Sequence, residues 1–237
     1  MERTLLVIAP HPDDAELGCG GTLALAASQG WRVVILDLTR GEMASNASPE
    51  EREAEARQAA RLLGVAERHC AGLPDGQLEA ASSLRQVVAA VRSHRPQILM
   101  GPYHRDRHPD HQVAGQLLPR AAHLAGLPRY RVPGEPWRPR VILQYFINEH
   151  THPQVLVDVS GVHHLKRKAL ATYRSQFCPR GRRVTVLNRP AYLQYILARD
   201  RYFGALRGVE AAEGFMMAGG WWVDDLDVFL GRGGRPD

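Results

Sequence analysis

Residues 5–22 read LLVIAPHPDDAELGCGGT. Five apolar residues in a row, 5–9, suit a strand buried on both faces. A histidine, two adjacent aspartates and a glutamate then follow, and a glycine cluster reads as the start of a helix near 18–21 that runs to Gly30. A second segment repeats the plan. QILMGPYHRDRHPDH (97–111) is again an apolar strand followed by histidines and aspartates.

The stretch between them alternates strand and helix. RVVILDL (32–38) is a second buried strand. Ser48, Pro49 and Glu51 form a helix start, with a capping hydroxyl, a proline at the first helical position and an acid at the third. Ala56, Ala59, Ala60 and Leu63 follow at helical spacing, and Gly64 closes the helix. A short strand near 66–71 and a helix marked by Leu84, Val87, Val88 and Val91 lead to the fourth strand, 97–103. Ala114, Leu117, Leu118 and Ala121 mark a helix after it. The alternation predicts an α/β fold: a Rossmann-like, doubly wound, mostly parallel sheet with helices on both faces. Strands near 140–147 and 154–159, helices near 161–176 and 190–206 and a short strand near 209–216 are expected to form a C-terminal α/β extension. The tail GRGGRPD is expected to fray. The chain thus reads as one domain over 1–237, a core (1–126) holding both motifs and a second part (127–237) completing the sheet and pocket.

In a sheet of order 3-2-1-4-5 the first and fourth strands are neighbours, and the crevice at their carboxyl ends is where ligands bind. That topology brings His11, Asp13, Asp14, His108, Asp110 and His111 together. Imidazoles and a carboxylate with one open position describe a catalytic metal centre. Adjacent aspartates in an extended backbone point apart, so one can hold a metal while the other stays free as a general base.

Composition narrows the classes. The 237 residues carry a net charge of +5, and 30 residues are Lys or Arg, with lysine only at 166 and 168. The arginines are scattered without interleaved aromatics or a nucleic-acid-binding motif, so an anionic small molecule suits the charge and nucleic acid does not. No apolar run is long enough for a membrane span, and acidic residues follow the first one directly, so a cytoplasmic protein with no membrane partner is expected. Cys19, Cys70 and Cys178 form no CxxC pair and are expected as reduced thiols. GCGGT does not meet the G-x-G-x-x-G pattern, which weighs against a non-hydrolytic nucleotide-binding module, the alternative from a different class. A metal-binding protein without catalysis is a third reading, and the surplus Asp13 and His108 weigh against it. The His150/His152 pair reads as an ordinary surface feature.

PHPDDAELGCGGT and DRHPDH resemble the two metal motifs of the LmbE-like (PIG-L-type) zinc-dependent N-deacetylases. DLTRGEMASNASPEEREAEARQAARLLG (37–64), LPDGQL, YRSQF, AYLQYILARDRYFG and EGFM are similar, in order, to the branch acting on N-acetylglucosaminyl-malate in bacillithiol synthesis. The first motif residue is usually alanine and here is Pro10.

The resemblance implies that His11, Asp14 and His111 bind one Zn2+ per subunit, a site that also accepts other divalent metals. It implies that Asp13 is the general base. His108, with Asp110 behind it, would stabilise the oxyanion or protonate the leaving amine, and Asp110 is expected to raise the His108 pKa. Tyr192 would help hold the oxyanion. Ser45, Asn46 and Arg52 would line the sugar pocket. Arg52, Arg107 and the basic stretch 178–183, read as loop or lid, are candidate clamps for a carboxylated substrate. A homo-oligomer, up to a hexamer, is implied as well. The expected reaction is deacetylation of an N-acetylglucosamine conjugate, N-acetyl-α-D-glucosaminyl L-malate first, with another GlcNAc derivative such as a chitobiose-type sugar as the alternative.

Overall fold

A computed structural model describes residues 2–78, 80–178, 181 and 183–221. Its sheet has seven strands in the order β3-β2-β1-β4-β5-β7-β6. β1 (Thr4–Ala9), β2 (Arg32–Thr39), β3 (Glu67–Leu73), β4 (Ile98–Pro102) and β5 (Val141–Tyr145) are parallel. β6 (Val155–Asp158) and β5 both pair antiparallel to β7 (Ala212–Met217), which lies between them. The parallel order 3-2-1-4-5 is the one expected. The second half of the chain adds its strands to the same sheet.

Side chains alternate across β1 and so build two cores. Leu5, Val7 and Ala9 enter one apolar layer with α1 (Asp14–Ser28), α2 (Pro49–Leu63), α5 (His163–Leu170) and α7 (Pro190–Ala205). Leu6 and Ile8 enter the other, with α3 (Ala80–His94) and α4 (Pro109–Ala125). Helices thus cover both faces, which is why β1 tolerates an unbroken apolar run. The chain crosses from one face to the other between β3 and β4, which opens the crevice at the ends of β1 and β4. Among the described residues no helix is long and apolar enough to cross a membrane.

Local signals in α2 hold as read. Ser48 accepts from the Glu51 amide at 3.2 Å, Pro49 is the first helical residue, and Gly64 closes the helix at φ 72°. Two helices differ from expectation. α1 starts at Asp14 rather than near the glycines, and bends at Cys19. The glycines serve close packing instead: a Cβ on Gly18 would lie 2.1 Å from the Tyr145 ring. The single helix expected over 161–176 breaks into α5 and α6 (Arg174–Phe177). At the break Thr172 donates to Ala169 O, and Ser175 binds the Glu55 carboxylate of α2. The expected fraying of the tail, and parts of the 178–183 segment, lie outside the described residues.

Behind α1 sits a buried ionic network. Lys166 donates to Asp200 and to Glu213 at 2.7 Å each. Glu213 in turn accepts from the Gly21 and Thr22 amides, capping the part of α1 beyond the Cys19 bend.

Candidate active site

The loop after β1 is held in an uncommon conformation. Asp13 has φ 126°, outside the region an L-residue adopts readily; such a residue costs about 1–3 kcal/mol and persists only where its surroundings enforce it. Arg52 of α2 does this. It is buried, and its guanidinium donates to Pro12 O at 2.5 Å and lies 3.1 Å from Asp13 Oδ2. Gly41, at φ 66°, leaves the room this guanidinium occupies. Asp13 precedes α1, but its carboxylate does not cap the helix. The side chain is left facing Arg52 and the cleft.

Asp14 turns the other way. Its Oδ2 lies 3.1 Å from His11 Nδ1 and 3.2 Å from His111 Nε2. Donors around a tetrahedral ion with bonds of 2.0–2.1 Å stand about 3.3 Å apart, and the two contacts of Asp14 are near that spacing. Each imidazole's second nitrogen meets another carboxylate. His11 Nε2 is 3.0 Å from Asp75 Oδ1 and 3.2 Å from Asp110 Oδ2. His111 Nδ1 is 3.1 Å from Asp106 Oδ1. For His11 these are hydrogen-bond contacts of the kind that fix the tautomer and raise the basicity of a metal-binding imidazole, whereas Asp106 meets His111 Nδ1 as an ion pair without hydrogen-bond alignment. His11 also groups with His108 and His111 and with Asp75 and Asp110 as donor sets close enough for one ion. A separate set, Glu67, His69 and His94, lies at the amino ends of the strands. There Arg32 already engages both Glu67 and His94 Nδ1, placing a cation where an ion would sit.

The charges follow from this packing. Burial pushes Asp13 up, Arg52 opposes it, and repulsion from Asp14 adds to the rise, leaving the pKa at about 7. Burial also acts to raise Asp14, but His111 and His11 outweigh it and hold it well below the usual carboxylate range. Burial lowers His111, and Asp14 and Asp106 more than compensate, taking it to about 9.

One expectation is corrected. Asp110 was to stand behind His108 and raise its pKa. Its carboxylate instead accepts from the Gly76 amide at 2.9 Å and faces His11. His108 caps α4, its Nδ1 accepting from the Asp110 amide at 3.3 Å. Burial, then the neighbouring His111 and His11, leave its pKa below the ordinary value, outweighing Asp14 and Asp110, which do act to raise it, as expected of Asp110.

These groups line a cleft of ≈450 Å³. Every expected site residue except Asp110 borders it. Tyr192, on α7, donates to Asn148 Oδ1 at 3.2 Å, and burial raises its pKa. Arg107 is exposed at the rim and donates to the same oxygen at 3.3 Å. Ser45 is exposed, and Met43 and Val186 add apolar surface to the rim. The Asn46 side chain is taken up by the Arg183 backbone, donating to its carbonyl and accepting from its amide at 2.8 Å each. Arg52 is likewise occupied by its own loop contacts. His150 pairs with the Tyr195 hydroxyl and joins no donor set among the described residues. Asp75, Asp106 and Asn148 received no role from the sequence. Asp75 lies in LPDGQL and Asp106 opens DRHPDH, so membership of a quoted segment was the signal available.

Residues 6–122 match the family model described as PIG-L: GlcNAc-PI de-N-acetylase. A diacetylchitobiose deacetylase of Thermococcus kodakarensis is 33% identical over 92% of this chain and 84% of its own. A probable N-acetyl-α-D-glucosaminyl L-malate deacetylase 2 of Bacillus cereus is 31% identical over 74% and 84%. Among solved structures, the conserved protein TT1542 from Thermus thermophilus superposes with a TM-score of 0.84 at 42% identity, over 93% of this chain and 97% of that one.

Proposed function

This chain belongs to the PIG-L family and is a metal-dependent N-deacetylase; from that premise we propose that it hydrolyses the acetamide of N-acetyl-α-D-glucosaminyl L-malate, releasing acetate and the free amine. The observation carrying the hydrolytic part is the divergence of two adjacent carboxylates, Asp14 toward His11 and His111, Asp13 toward the open cleft. The malate part rests on Arg107, an exposed guanidinium at the cleft rim suited to a carboxylate.

His11, Asp14 and His111 would hold the ion, Zn2+ by the donor set of two imidazoles and one carboxylate. When bound, it supplies Lewis acidity, polarising the acetamide carbonyl and making the attacking water more acidic. Asp13, with a pKa near neutrality, takes the proton that water loses as its oxygen attacks the carbonyl carbon. Negative charge develops on the former carbonyl oxygen. His108 accepts at Nδ1 from the Asp110 amide, so its neutral form carries the proton on Nε2 and donates a hydrogen bond to that oxygen. The lowered His108 pKa favours this role over protonation of the amine. Tyr192 adds a second donor by turning its hydroxyl from Asn148. Protonated Asp13 then delivers its proton to the nitrogen as the C–N bond breaks.

A second reading, a chitobiose-type substrate, is favoured by the longer match to the diacetylchitobiose deacetylase. Acetate release from the malate glycoside, diacetylchitobiose and free GlcNAc, each with wild type and Arg107→Ala, separates the two. A kcat/KM highest for the malate glycoside and reduced at least ~10-fold in the variant supports malate. Preference for diacetylchitobiose with no effect of the variant removes it.

A further inference from the structure

Asn148 lies just beyond β5, and every polar group it has is engaged. Its backbone amide and its side-chain Nδ2 each donate to Asp106 at 2.9 Å. Its Oδ1 accepts from Tyr192 at 3.2 Å and from Arg107 at 3.3 Å. Its carbonyl accepts from the Tyr195 hydroxyl at 3.1 Å. Buried Arg199 holds the two preceding carbonyls, Phe146 O at 2.6 Å and Ile147 O at 3.1 Å. The amide orientation is chemically forced. A carboxylate on one side only accepts, and a guanidinium on the other only donates.

Asp106 Oδ1 stands 3.1 Å from His111 Nδ1, an ion-pair contact without hydrogen-bond alignment, and the carboxylate is almost wholly buried. Burial would raise its pKa, but His111 and the Asn148 donors hold it well below the usual carboxylate range. The geometry points to Asn148 as a positioning residue that couples the two halves of the cleft. Through Asp106 it sets the imidazole of His111. Through Oδ1 it holds Tyr192 and Arg107, two of the groups assigned to the substrate, at one point. The same amide that keeps Asp106 aimed at His111 parks the Tyr192 hydroxyl until an oxyanion competes for its proton. This inference rests on the deacetylase reading above, and its test includes a readout independent of turnover.

Three substitutions separate the halves. Asn148→Asp keeps an oxygen for Tyr192 and Arg107 but sets a carboxylate against Asp106. Tyr192→Phe removes only the substrate-side donor. Asn148→Ala removes both links. Zinc affinity of the metal-stripped chain is read by competition with a chelating dye, and kcat and KM by acetate release. Asn148→Asp and Asn148→Ala weaken zinc binding about 10–100-fold, whereas Tyr192→Phe leaves it unchanged and lowers kcat. Tyr192→Phe costs at least ~10-fold in the wild-type background and under ~3-fold in Asn148→Ala, the non-additivity expected of groups that act through one contact. Wild-type zinc affinity in Asn148→Asp, or an undiminished Tyr192→Phe effect in Asn148→Ala, overturns the coupling. If Asn148→Ala does not fold, the isosteric Asn148→Asp decides by zinc affinity alone. Failure of the deacetylase reading shows instead in the wild type, as no zinc bound or no acetate released.

Discussion

Arg52 Nη2 lies 3.1 Å from Asp13 Oδ2, and both side chains are buried. The pair ties α2 to the strained residue after β1. Arg52 is the main influence opposing the burial of Asp13, and with both acting the Asp13 pKa stands at about 7. Removing the guanidinium leaves the carboxylate buried with Asp14 beside it, so the Asp13 pKa rises further. Asp13 must be ionised to accept a proton. Arg52→Gln is therefore expected to shift the acidic limb of the kcat/KM–pH profile to higher pH and to lower activity at pH 7 about tenfold or more. An unshifted limb would separate Arg52 from the base.

Metal loading should release protons. In the metal-free chain burial lowers His111, but Asp14 and Asp106 raise it to about 9, and the carboxylates around His11 raise that imidazole as well. A raised pKa means the proton is held below it and lost above it, so at pH 7 both imidazoles carry protons that an ion must displace. Calorimetric titration of the metal-stripped chain with Zn2+, in buffers of different ionisation enthalpy, is expected to show release of about two protons per ion. Affinity should climb as pH rises toward about 9. Proton-neutral binding would place the ion elsewhere.

Gly18 packs against the Tyr145 ring, and the Tyr145 hydroxyl donates to Ile8 O at 2.8 Å. The ring is thus pinned from behind and cannot yield to a new methyl group. Gly18→Ala is expected to cost about 1–3 kcal/mol of stability, read as a lower urea midpoint.

Much of this was legible in the letters. The apolar run of 5–9, the Ser48–Pro49–Glu51 cap and the β1–β4 crevice each follow from local pattern and a topological rule. The antiparallel insertion of β7 between β5 and β6 was not legible, because pairing between residues as distant in the chain as Leu143 and Met217 leaves no local trace. The α1 start was misplaced because glycines that signal a helix boundary in sequence also mark close approach, here of Tyr145 and Lys166. Of the site, the strand topology brought His11, Asp13, Asp14, His108, Asp110 and His111 together, and the resemblance of their motifs to a known family supplied the roles. Asp75 and Asn148 reach those residues from other loops, and Asp106, though in the same segment as His111, shows its contact with that ring only in the folded arrangement.

Lys166 is fully buried between Asp200 and Glu213. Burial pushes Asp200 up, but Lys166 and Arg199 outweigh it and hold the carboxyl well below its usual range. A depressed folded pKa contributes stability above the unfolded value, about 3.9, which is lost as pH falls through the folded one. Stability should therefore drop from about pH 4 downward, with a shallower slope in Asp200→Asn. Lys166→Met, which removes the ammonium shared by two buried carboxylates and leaves Glu213 only its amide donors, is expected to lose about 3–5 kcal/mol at pH 7. Urea unfolding at pH 7, 4 and 3 measures all three chains.

The division of labour between neighbouring aspartates is tested most directly by metal content and activity of Asp13→Asn, measured on one preparation. The account predicts about one ion per chain, as in wild type, with kcat reduced at least ~100-fold. An Asp13→Asn chain that lost its metal, or that kept both metal and wild-type turnover, would contradict it.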